Sequence, residues 1–129
     1  MILFRLEYTE RFWCLNVVKK GSSLRTALLD CRQHKTTWDI QPDRTIRLSS
    51  DKCLEKKGTS SLGDPSLRIE KCNGSPTQQF TVTGDQGKLT VEQGGLYLTS
   101  QHHPSEGEGV QMSTFADAKR HRILYWKCF

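Results

Sequence analysis

The chain has 129 residues, 35% of them hydrophobic, and a formal net charge of +5. A chain of this length suits one domain with one compact core. No apolar run approaches the roughly 20 residues of a transmembrane helix, and long helical patterns are absent. We therefore expect neither a membrane span in this chain nor a helical fold.

The first residues of the chain mix apolar and charged side chains. In MILFRLEYTERFW, from Met1 to Trp13, four charged residues interrupt the apolar pattern, which argues against a signal peptide. Further along, Val, Ile, Thr and aromatic residues fall in short alternating runs between Gly, Ser, Asp and Pro. This pattern is typical of an all-β protein.

Two stretches of the chain repeat one pattern. CLNVVKKGSSLRTALLDC runs from Cys14 to Cys31, and CLEKKGTSSLGDPSLRIEKC runs from Cys53 to Cys72. Each opens with Cys-Leu, reaches Lys-Lys-Gly and small polar residues after three residues in the first stretch and one in the second, and ends in an apolar stretch that closes on cysteine. The opening cysteines are 39 residues apart and the closing ones 41. A repeat of this length predicts a repeat architecture.

An aromatic residue follows each closing cysteine after a polar loop. Trp38 and Phe80 hold this position, 42 residues apart. We expect both to be buried near a pseudo-threefold axis, together with a third side chain near Ile123 or Leu124.

The rest of the chain fits the same frame less well. In its last part, Tyr97 stands where the other stretches have the opening cysteine. Thr114 or Phe115 stands where they have the closing one. The repeat is therefore well preserved in two units and poorly in the third.

The frame predicts three units, near residues 1–42, 43–84 and 85–129. One unit of about four short strands cannot bury its apolar face alone, whereas three arranged about an axis share one core and limit exposed edges. Three such units are too few for a propeller. We predict one β-trefoil domain over residues 1–129, with about twelve short strands and pseudo-threefold symmetry.

Four of the five cysteines fall in pairs. Equivalent positions should be bridged equivalently, so the repeat favours Cys14–Cys31 and Cys53–Cys72 and leaves Cys128 without a partner. Each bridge would contribute about 3 kcal/mol. Reduced, buried cysteines are the alternative, and zinc is disfavoured because no Cys-x-x-Cys is present. Disulfides imply an oxidising compartment, hence a secreted or extracellular chain or an ectodomain fragment.

Each unit reads Cys-Leu-x-x, a variable loop, an apolar stretch closing on Cys, and then Gln-x-Trp or a relative of it. This order resembles the ricin-type lectin domain over nearly the whole chain. The Gln-x-Trp position reads Thr36-Thr37-Trp38, then Gln78-Gln79-Phe80, and is degenerate near Arg120-His121-Arg122. The runs ILFRLEYTERFWCLNV and TTWDIQPDRTIRLSSDKCL look most like the cysteine-rich domain of mannose-receptor-type receptors.

The resemblance implies carbohydrate binding. A galactose site of this family has an acid two residues after the opening cysteine, an aromatic two before the closing one, and Asn or Gln ahead of the Trp. The aromatic position carries no ring in any unit: Leu29, Glu70 and Ser113. Only Glu55 with Gln78 keeps two polar groups of the expected kind; Asn16 and about Thr99 hold the acid position elsewhere. The carbohydrate-binding candidates from these positions are Asn16, Glu55 and Gln78.

An intact galactose site is therefore not expected, which leaves two classes of function. Basic residues could recognise an acidic or sulfated glycan, or a glycoprotein carrying one. In the mannose-receptor type a third-unit pocket holds a sulfated sugar, and the resemblance puts Lys119, Arg120 and Arg122 near its wall. These residues could equally form a solvated basic face. The second class is a trefoil whose sugar sites have decayed and whose loops bind a protein partner.

The other groups of polar and aromatic residues give weaker indications of function. The loop from His102 to Glu108 holds two histidines and two glutamates but is expected to be a solvated hairpin loop and not a metal site. No nucleophile motif, phosphate loop or carboxylate pair stands out, so we expect neither an enzyme nor a cofactor. The aromatics fall at core positions of the repeat and not on a stacking platform, so no nucleic-acid partner is expected.

Overall fold

The computed structural model describes residues 3–8, 10–59, 65–85, 87–100, 109–121 and 125–128. Within these residues the strands are β1 Phe4–Tyr8, β2 Arg11–Lys20, β3 Ser23–Asp30, β4 Asp39–Ile40, β5 Ile46–Ser49, β6 Lys52–Thr59, β7 Pro65–Lys71, β8 Thr81–Asp85, β9 Lys88–Gln93, β10 Leu96–Thr99, β11 Gln111–Thr114 and β12 Lys127–Cys128. A 3₁₀ turn spans Pro76–Gln78, and the helix α1 spans Phe115–His121. The predicted all-β class is confirmed.

Three antiparallel hairpins share one register, namely β2–β3, β6–β7 and β10–β11. In each, the opening residue of the unit lies opposite the residue two positions before the closing one. These opposed pairs are Cys14 with Leu29, Cys53 with Glu70, and Tyr97 with Ser113. The closing position of the third unit is therefore Phe115 and not Thr114.

The residue after each opening position anchors the hairpin in the core. Leu15, Leu54 and Leu98 have no exposed surface, and all three belong to one cluster of buried apolar side chains. Burying a leucine side chain contributes about 1.5–3 kcal/mol relative to leaving it exposed. The repeated leucine thus fixes which face of each hairpin points inward.

The aromatic that follows each hairpin is buried in all three units. Trp38 and Phe80 are buried, as predicted. The Trp38 indole N–H donates to the carbonyl of Leu15 at 3.0 Å, and the Trp126 indole N–H donates to the carbonyl of Leu98 at 3.0 Å. Because Leu15 and Leu98 are equivalent positions, Trp126 is the counterpart of Trp38.

The predicted place of this motif in the third unit is thus wrong. The sequence predicts it near Arg120-His121-Arg122, but the aromatic is Trp126. The predicted burial of a side chain near Ile123 or Leu124 stays a prediction. The helix α1 explains the shift, because it lengthens the connection between the hairpin and the aromatic. Residues 122–124 lie outside the described part of the chain.

Both predicted disulfides are present. Cys14 is bonded to Cys31 and Cys53 to Cys72, with Cα–Cα distances of 5.0 and 5.1 Å. In the third unit the rings of Tyr97 and Phe115 occupy the equivalent positions in an edge-to-face contact, with centroids 5.5 Å apart. A ring contact therefore stands where the other hairpins have a covalent bond.

Strand pairing joins the units to each other. β7 of the second hairpin pairs with β3 of the first, with Arg25 opposite Arg68, and also with β11 of the third, with Gln111 opposite Ser66. β1 pairs with β12 near the two ends of the chain. Among the described residues, no helix has the length and apolarity needed to cross a membrane.

Candidate functional site

In the first unit, the candidate Asn16 is buried. Its side chain is 3% exposed. Its amide N–H groups donate to the carbonyls of Cys14 and His34 at 3.0 and 3.2 Å, and its oxygen accepts from the Thr36 hydroxyl at 2.6 Å. A buried amide that is bonded on both sides stabilises the fold and has little left to offer a ligand.

In the second unit, the Gln78 side chain is hydrogen-bonded to the Glu55 carboxylate. Gln78 is fully buried, and its amide N–H groups donate to the Glu55 carboxylate at 2.6 Å and to the Lys71 carbonyl at 2.9 Å. Its own oxygen accepts from the Asn73 backbone N–H at 2.9 Å. The 3₁₀ turn that ends at Gln78 brings it to this position.

The same two positions make contact in both units. Thr36 and Gln78 each lie two residues before the buried aromatic, and each donates to the residue two after the opening cysteine, Asn16 or Glu55. The difference is exposure, because Asn16 is buried whereas Glu55 is half-buried. Only one carboxylate oxygen of Glu55 has a partner among the described residues, so the other remains available as an acceptor.

In the third unit the corresponding side chains are buried and already hydrogen-bonded. Thr99 has no exposed surface, and its hydroxyl donates to the Gln111 carbonyl at 3.4 Å. The Ser113 hydroxyl donates to the Asp117 carboxylate of α1 at 2.8 Å. Among these family positions, Glu55 therefore keeps a carboxylate oxygen without a described partner, and the buried Gln78 fixes that carboxylate in place.

The basic candidates of the third unit are only partly described. The backbone of Lys119 and Arg120 lies in α1, but their side chains and the whole of Arg122 fall outside the described residues, as does the histidine-containing loop at 101–108. Their role stays a prediction. Within the described part of the chain, no cluster of His, Cys, Asp and Glu is arranged to hold a metal.

A groove that the sequence did not suggest lies beside the first disulfide. Its cavity of about 350 Å³ is lined by Glu10, Arg11, Phe12, Asp30 and Arg32. The guanidinium of Arg32 bonds both oxygens of Asp30, at 3.1 and 2.8 Å, and this hydrogen bonding lowers the pKa of Asp30 to about 2. The groove therefore balances its charges internally, and its ring, Phe12, is 37% exposed.

Residues 4–122 match the model of the ricin-type beta-trefoil lectin domain family. The chain belongs to this family. Among solved structures it is similar to a non-toxic homologue of type II RIPs from Momordica charantia (bitter gourd), solved in complex with α-methyl-D-galactoside. The TM-score is 0.71 and the identity 19%, over all of this chain and 48% of the other, so this chain spans about half of that protein.

A second similar structure is the beta-trefoil lectin of the Vibrio vulnificus hemolysin/cytolysin, with N-acetyl-D-lactosamine bound. Its TM-score is 0.64 and its identity 18%, over 98% of this chain and 92% of the other. No curated protein sequence matches the chain at a significant level. These findings confirm the β-trefoil fold and the ricin-type family.

Proposed function

We propose that this β-trefoil is a carbohydrate-binding module and that its second unit provides the binding site. The observation that supports the proposal is the half-buried Glu55 carboxylate, with one oxygen held by the buried Gln78 and the other without a partner among the described residues. A fixed carboxylate oxygen is a good acceptor for sugar hydroxyl groups. Membership of a lectin family supports the same conclusion, and the two similar structures were solved with sugars bound.

The ligand class that we propose is an acidic or sulfated glycan, free or on a glycoprotein. A neutral sugar would lack its stacking ring, because Leu29, Glu70 and Ser113 hold the aromatic positions. A net charge of +5 favours negatively charged ligands. The proposed role is binding and not catalysis, in a secreted or extracellular setting that suits the two disulfides.

The same missing ring supports the second candidate, a trefoil that binds a protein through its loops. In that case Glu55 and Gln78 would only stabilise the second hairpin. The two candidates differ in whether replacing Glu55 changes binding to a sugar. The test below separates them.

A glycan array with matched neutral, sulfated and carboxylated sugars tests the proposal, followed by titration calorimetry of the strongest binders. Glu55→Gln should reduce sugar affinity about tenfold, because a charged acceptor is lost while the shape of the side chain is kept. Glu92→Gln, on β9, removes a carboxylate elsewhere and should bind like the parent. If no sugar binds at millimolar concentration, the protein-partner candidate replaces the lectin proposal.

The third unit makes a separate prediction. If its basic run recognises the charged group, replacing Lys119, Arg120 and Arg122 together by Ser should abolish binding of sulfated sugars and leave the melting temperature unchanged. Binding by the parent should also weaken as salt is raised, because exposed ion pairs are screened. Tight galactose binding that survives the triple change would contradict the acidic-glycan preference.

A further inference from the structure

A row of charged side chains crosses the junction between the first and second units. Arg68 of β7 lies opposite Glu55 of β6 on one side and opposite Arg25 of β3 on the other. Directly opposed residues in a sheet point to the same face. Arg25, Arg68 and Glu55 therefore share one face of the sheet.

That face points away from the core. The neighbouring row consists of Leu24, Ile69 and Leu54, in the same pairing. Leu54 and Ile69 are buried in the main apolar cluster, and Leu24 packs against it. Since successive residues of a strand point to opposite faces, the charged row faces outward, with Arg25 exposed and Arg68 half-buried.

Among the described residues, the two arginines have no counter-charge. Two like charges directly opposite each other destabilise a sheet, yet no ion pair joins either arginine to another described residue. The Nε–H of Arg68 is buried and donates to no acceptor among the described groups. A buried donor without a partner is rare in a folded protein and requires an explanation.

The carboxylates near the two arginines do not act as their ion-pair partners. Glu70 lies two residues along β7 but is paired with Lys57 at 3.5 Å. Glu55 lies directly opposite Arg68 but is held by Gln78 at 2.6 Å and forms no salt bridge with the arginine. Neither of these carboxylates therefore neutralises the positive charge of Arg25 and Arg68.

An arginine at the hairpin position of Arg68 is specific to the second unit. The hairpin position of Arg68, opposite the residue two after the opening one, is taken by Ala27 in the first unit and by Gln111 in the third. The unit that keeps the carboxylate acceptor is thus the one that also carries an arginine without a counter-charge among the described residues. Because Glu55 and Arg68 occur in the same unit, the acceptor and the arginine are considered together as one site.

We propose that Arg25 and Arg68 bind the anionic substituent, a sulfate or a carboxylate, of a sugar whose hydroxyl groups are accepted by Glu55. The inference rests on the proposed carbohydrate-binding function and names its charge-recognising residues. Strands lie about 4.8 Å apart, so Arg25 and Glu55 are separated by about 10 Å. That span suits one sugar ring with its charged substituent. Guanidinium groups bind such oxyanions through paired charge-assisted hydrogen bonds.

The test compares methyl β-galactoside with its sulfated forms and with a glucuronide, by titration calorimetry on the whole chain. In the parent, the anionic sugars should bind about tenfold more tightly than the neutral one. Arg25→Gln with Arg68→Gln should remove that preference and leave neutral-sugar affinity unchanged. The control is Arg44→Gln with Lys88→Gln, which removes the same charge away from the row and should retain the preference.

A second readout uses sodium sulfate alone. In the parent, sulfate should shift the NMR signal of the Arg68 Nε–H group, and Arg25→Gln should weaken that effect. If sugars bind and the arginine variant keeps the anionic preference, the inference is overturned while the lectin proposal stands. If sulfate shifts the Arg68 signal but no sugar binds, the lectin proposal fails, and with it the assignment of a sugar ligand to this row. A parent without any sulfate effect at Arg68 also overturns the inference.

Discussion

The first two hairpins and the third have the same register but close differently. The first two are closed by Cys14–Cys31 and Cys53–Cys72, and the third by the contact between the rings of Tyr97 and Phe115. The buried leucine after the opening residue is common to all three hairpins. The difference indicates that apolar packing defines the hairpin, and that the disulfide adds stability to an arrangement that forms without it.

The largest expected effect concerns the buried aromatic residue that the three units have in common. Trp126→Ala should lower the free energy of unfolding by about 3–5 kcal/mol, as should Trp38→Ala, because each empties a large core site. Chemical denaturation measures both. Tyr125→Ala is the matched control, since this neighbouring ring is 37% exposed and should matter much less. If Trp126→Ala melts within a degree or two of the parent, Trp126 is not the equivalent of Trp38.

Removing a disulfide should have the next largest effect. Cys14→Ala with Cys31→Ala, or Cys53→Ala with Cys72→Ala, should cost about 3 kcal/mol each, because the unfolded chain gains freedom. Both variants should still fold, as the third hairpin does without a bridge. Peptide mapping without reductant checks the pairing in the parent. A Cys14–Cys53 bond would contradict the matched registers.

The ring contact should be worth less than a disulfide. Phe115→Ala should cost about 1 kcal/mol, in the range of an edge-to-face aromatic pair. The sharper variant is Tyr97→Cys with Phe115→Cys, which places two cysteines at the positions bridged in the other units. Mass spectrometry should detect a third disulfide. Persistent free thiols after oxidation would show that the third hairpin differs from the others in more than its side chains.

The smallest effect concerns pH and separates the first hairpin from the second. Asp30 precedes the closing cysteine and pairs with Arg32, whereas Lys71 holds that position in the second unit. The pKa of Asp30 is lowered from 3.8 to about 2, so its stabilisation is present above pH 4 and is lost as the pH falls toward 2. Asp30→Asn should lower the melting temperature slightly at pH 6 and by clearly less at pH 2. An equal loss at both values would contradict this assignment.

The candidate site shows a similar division between sequence and structure. The polar pair Glu55 and Gln78 was predictable, because both positions follow from the repeat. The exclusion of Asn16 was not, because it depends on the His34 carbonyl and the Thr36 hydroxyl that close over it. Residue type identifies a hydrogen-bonding group, whereas its availability to a ligand depends on what the fold packs around it.

The sequence alone determined the features that are local or periodic. These are the all-β class, the pairing of the four cysteines and the burial of Trp38 and Phe80, all of which follow from matched spacing. Tertiary structure decided what depends on contacts between distant segments. Trp126 replaced the expected position because α1 lengthens the third unit. The junction of Arg25 and Arg68 exists only because β3 pairs with β7, and no spacing within one unit reports which strands of different units become neighbours.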